Sequence, residues 1–133
     1  MIGLDTNVVV RYLAQDDRGQ AAIATRLIEG SLTPDRPGFV SLVVLAEIAW
    51  VLEDCYELSR KEISALVERL LRVRQLKIQD ADTAWQALRA FRVGNSDFAD
   101  CLIARIGAAC DCERTVTFDK AAARGAGMDL LAG

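Results

Sequence analysis

Short apolar runs of strand length alternate along this chain with longer stretches whose apolar residues recur every three to four positions, and this alternation limits the fold more than any other feature. The runs fall at residues 1–4, 38–41, 75–79, 114–118 and 128–131. Helical patterns fill the gaps, at about 6–14, 20–29, 41–56, 59–71, 80–91, 97–109 and 119–124. Strands that take turns with helices pair in parallel, because each helix carries the chain back across the sheet. The expected fold class is therefore α/β, with a parallel sheet covered on both faces and a first strand that is buried. In such sheets ligands bind beyond the carboxyl ends of the strands.

Local signals sharpen several elements. Ser59-Arg60-Lys61-Glu62 is a capping box, and Ile63, Leu66, Val67, Leu70 and Leu71 follow it as an apolar stripe. Ala21, Ala24, Leu27 and Ile28 share one face of the second helix, and Phe98, Cys101, Leu102 and Ile106 one face of the sixth. Both prolines, Pro34 and Pro37, sit in one loop. No repeat or linker interrupts the 133 residues, so a single domain over 1–133 is expected.

Composition removes whole classes of chemistry. There is no histidine, which excludes histidine triads and histidine metal sites. Cys110 and Cys112 have C-x-C spacing, unlike a zinc or redox C-x-x-C, so the four cysteines are expected to be small buried residues, kept reduced. No apolar run reaches the roughly 18 residues of a membrane span, and no basic stretch of signal-peptide type opens the chain. A cytoplasmic protein without membrane contact is expected. The formal net charge of −3 argues against generic nucleic-acid binding, so contact with RNA would need a local basic patch or bound cations.

The remaining chemistry is carboxylate chemistry. Asp5 directly follows the first strand and Asp119 the fourth, which in one parallel sheet puts both on the carboxyl edge. Asp97 and Asp100 share a face in the first turn of a helix. Glu47 is the only charge between Leu42 and Leu52, in a helix expected to be buried, where an unpaired carboxylate is costly. Each acid also has a plainer reading: Asp5, Asp97 and Asp119 as helix caps, Glu47 as half of a buried ion pair. Convergence of all five around divalent cations would account for them together. Mg²⁺ or Mn²⁺ prefers oxygen donors of this kind, and such a site suits phosphodiester hydrolysis.

Four blocks carry a family resemblance. Ile2-Gly3-Leu4-Asp5-Thr6-Asn7-Val8 resembles the opening of PIN domains. Residues 41–47, ending in Glu47, resemble their second block. Asp97-Phe98-Ala99-Asp100-Cys101 resembles the third, and Thr115-Val116-Thr117-Phe118-Asp119 the fourth. The resemblance implies a three-layer α/β/α sandwich and a Mg²⁺- or Mn²⁺-dependent endoribonuclease. It puts Asp5, Glu47 and Asp100 at the three core acidic positions and Asp119 at the fourth, with Asp97 auxiliary and Asn7 and Thr117 as supporting polar groups. A short chain of this type is similar to VapC toxins, which implies an antitoxin partner and a homodimer. Two other readings stay open: an aspartyl-phosphate enzyme, with Asp5 as nucleophile and Lys120 assisting, and a non-catalytic cation-binding interaction domain.

Overall fold

Helix starts follow the sequence closely. The computed structural model describes residues 1–131, and in it a side-chain oxygen opens most helices. Asp5 precedes α1 (Thr6–Ala14), and Asp17 caps α2 (Arg18–Thr25) by accepting from the Gln20 N–H at 3.0 Å. That cap starts α2 two residues earlier than its apolar pattern suggests. A π-helical turn, Arg26–Ser31, then continues it. Ser41 accepts from Val44 N–H at 3.1 Å to open α3 (Leu42–Asp54). Both halves of the capping box are formed at α4 (Arg60–Leu71): Ser59 Oγ accepts from Glu62 N–H at 3.2 Å, and Glu62 accepts from Ser59 N–H at 3.0 Å.

These helices belong to the first of two compact units, Met1–Ala81. Its sheet holds β1 (Ile2–Gly3), β2 (Gly38–Val40) and β3 (Leu76–Ile78), all parallel, with β2 central. A Cβ at Gly38 would meet the side-chain methyls of Leu4, Leu32 and Leu76 at 2.9, 2.8 and 3.1 Å, so glycine lets these three pack closely over β2. The core around it includes Val9, Leu45, Ile48, Leu52, Val67 and Leu70. The first strand departs from expectation. Ile2 and Gly3 are exposed, and only Leu4, just beyond β1, packs inward.

The second unit begins at Asp82. It contains nearly all of α5 (Ala81–Val93), then α6 (Phe98–Ala109) and α7 (Lys120–Gly125). β4 (Val116–Thr117) pairs in parallel with β5 (Asp129–Leu130) as a separate two-stranded sheet. The strands are thus parallel as expected, but their hydrogen bonding forms two sets rather than one. Phe91 and Phe98 pack edge to face, with ring centres 5.8 Å apart. Of the four cysteines only Cys101 is buried; Cys55, Cys110 and Cys112 are exposed, against expectation, because they sit at helix ends and in a turn rather than on inward faces. Among the described residues no helix is long and apolar enough to cross a membrane.

Candidate functional site

In the first unit the structure brings Asp5 and Glu47 together through one residue. Asp5 follows β1, and its extended backbone (φ −79°, ψ 160°) turns the chain into α1. Asp5 Oδ1 accepts from Thr6 N–H at 2.8 Å. The Thr6 hydroxyl donates to Glu47 Oε1 at 2.9 Å, tying α1 to α3 across 41 positions of sequence. Thr6 was not a candidate in the sequence. The only local trace of its role is that it sits between two polar residues of the opening motif.

Glu47 corrects an expectation. Its helix is almost wholly apolar, but Glu47 is exposed, as are Val43 and Trp50 one turn to either side. The carboxylate pays no burial penalty, so neither a buried ion pair nor a metal is needed to explain its presence. Asn7 is exposed in the first turn of α1, on the rim of an open cavity of about 300 Å³ that Val8, Arg11, Ile23 and Leu27 also line.

The second unit gathers the other three acids. Asp97 caps α6: its Oδ1 accepts from Asp100 N–H at 2.8 Å. Asp119 caps α7, its Oδ1 accepting from Ala121 N–H at 2.8 Å and Ala122 N–H at 3.4 Å. Thr117 Oγ1 accepts from Asp119 N–H at 3.0 Å and so fixes the turn that presents this carboxylate. Asp100 is half-buried, and its pKa is raised above 3.8, first by burial, then by the charges of Asp97 and Asp119, and last by a hydrogen bond with Asp97. The three groups are close enough to repel one another.

The cap reading and the ligand reading are therefore compatible. Asp5, Asp97 and Asp119 each use Oδ1 toward backbone N–H groups. The backbone engages one oxygen of each side chain, and a carboxylate has a second oxygen with which it can meet a cation. In this geometry no three acidic or thiol groups among the described residues stand ready to enclose a metal ion. The candidate ligands are five carboxylates, Asp5, Glu47, Asp97, Asp100 and Asp119. Their donor chemistry is all oxygen and all anionic, which fits a hard divalent cation.

A family model for the PIN domain matches residues 2–128. The chain belongs to the PIN-domain family, and with it to the α/β sandwich class of nucleases that generally work with divalent metal. Comparison with curated proteins gave no match.

Proposed function

We propose that this chain is an endoribonuclease that uses Mg²⁺ or Mn²⁺, the toxin component of a VapC-like toxin–antitoxin pair, acting as one functional domain over 1–133 in the cytoplasm. The reading rests chiefly on one observation: every acid of the four family blocks is present, and those of each unit are coupled, Asp5 to Glu47 through Thr6, and Asp100 to Asp97 and Asp119 by charge.

Asp5, Glu47, Asp100 and Asp119 would hold the cation, with Asp97 adding charge from the start of α6. When bound, the cation supplies charge neutralisation and water activation for phosphodiester hydrolysis. Thr6 holds Glu47 in place, Thr117 holds the turn before Asp119, and Asn7 offers a polar group to substrate or water beside Asp5. RNA is the proposed substrate. An antitoxin and a second copy of the chain are the proposed partners. Exposed apolar side chains on α3 favour a protein partner: Val43 is 70 % exposed and Trp50 58 %.

The test is cleavage of a structured RNA by purified protein across a Mg²⁺ or Mn²⁺ titration. Cutting that rises with metal and stops in EDTA is the expected result. Undiminished cutting in EDTA, or none with either ion, would rule the reading out.

A further inference from the structure

The second unit holds a basic cavity that the carboxylates do not touch. It is open, about 550 Å³, and lies between the C-terminal half of α5, α6 and the loop after α7. Gln86, Arg89 and Arg105 supply its polar lining, and no acidic residue contributes to the wall. Arg105 is half-buried, and its Nε is a buried donor with no hydrogen-bond partner among the described residues.

Gly125, Ala126 and Gly127 complete the lining. Gly127 has φ +78°, a conformation that favours glycine, and a Cβ there would lie 3.8 Å from an Arg105 terminal nitrogen. A Cβ at Gly125 would collide with Ser96, and Ser96 Oγ donates to Ala121 O at 2.7 Å, so the loop is held against the turn before α6. This part of the lining carries no side chain larger than a methyl group.

We infer that Arg89 and Arg105 form a binding site for a phosphodiester of single-stranded RNA, held apart from the acidic residues. Two guanidinium groups and an amide, with no acid beside them, suit a group with several acceptor oxygens and negative charge. Arg105 lies five residues along α6 from Asp100, about 7.5 Å of helix rise and well round its circumference. A strand bound at Arg105 would therefore place a flanking phosphate, rather than the one to be cut, in the basic cavity. The choice of RNA over another anion rests on the proposed nuclease function.

The test measures binding of a short labelled single-stranded oligoribonucleotide to the full chain in EDTA, where cleavage and metal play no part, over a range of salt. Arg89→Gln and Arg105→Gln should each weaken binding and flatten the slope of log K against log salt by roughly 0.7. Arg105→Lys, which keeps the charge and loses the fork, should keep the slope. Unchanged slopes in both glutamine variants would overturn the site. So would poly-glutamate displacing the RNA as well as unlabelled RNA does, which would make it a carboxylate site for an acidic protein segment. Arg89 is exposed, so its variant decides the matter even if Arg105→Gln fails to fold. Loss of cleavage without loss of this binding would count against the nuclease reading alone.

Discussion

At the scale of single residues, the division of labour between the two oxygens of an aspartate makes sharp predictions. Asn caps a helix as well as Asp does, so Asp5→Asn should change stability by less than about 1 kcal/mol while abolishing metal-dependent cleavage. Thermal unfolding in EDTA beside RNA cleavage would check it, and full activity at low Mg²⁺ would remove Asp5 from the site. Asp100→Asn should go further. The folded-state pKa of Asp100 is raised, so its proton favours the fold below about 3.8 and that advantage disappears as pH rises through the raised value. At neutral pH the ionised group burdens the metal-free fold, and Asp100→Asn should hold or raise the melting temperature there but give no gain in acid. A lower melting temperature at pH 7 would contradict this. Thr6 acts through Glu47, so Thr6→Val should cost about 10- to 100-fold in metal affinity, as loss of an orienting partner does, and Thr6→Ser should restore it. A metal titration followed by calorimetry separates that loss from a folding defect. Thr6 was hidden in the sequence because a hydroxyl bond to a residue 41 positions away leaves no local pattern. The exposure of Glu47 was hidden for a different reason. An unbroken apolar helix reads as buried, yet Val43 and Trp50 on the same helix face outward too.

At the scale of elements, starts were more legible than ends or pairings. Ser59 with Glu62 and Asp97 announce their helices because a cap is made within three residues. Ser59→Ala should therefore cost about 1 kcal/mol, measurable by urea unfolding, with no change in cleavage. An effect on cleavage at equal stability would mean that α4 reaches the site in a way the capping box does not explain. The strands gave up less. They are two or three residues long, and which strand pairs with which is decided by partners far away in sequence. The π-helical turn at Arg26–Ser31 was likewise unread, since the apolar period through Leu27 and Ile28 continues smoothly into it.

At the scale of the whole molecule, the order of four acidic blocks made the family legible, where any one block would not have. The exposed apolar residues of α3 carry a prediction about partners. Val43, Glu47 and Trp50 lie at i, i+4 and i+7 and so share a face. A protein seated on that face would cover Glu47 as well, which makes tight binding and inhibition one event. Adding the proposed antitoxin should shift the fluorescence of Trp50 and suppress cleavage with the same midpoint; a Trp50→Phe control assigns the signal. Separate midpoints would break the link. The capping geometry has a final consequence, for heredity rather than chemistry. Asp and Asn codons differ by a single base, and at Asp5, Asp97 and Asp119 the exchange keeps the backbone hydrogen bond intact. If the proposed nuclease burdens its host, a lineage can silence it in one mutational step at Asp5 or Asp119 and still inherit a folded protein. Populations should therefore accumulate intact but inert copies with Asn at these positions more readily than truncated ones.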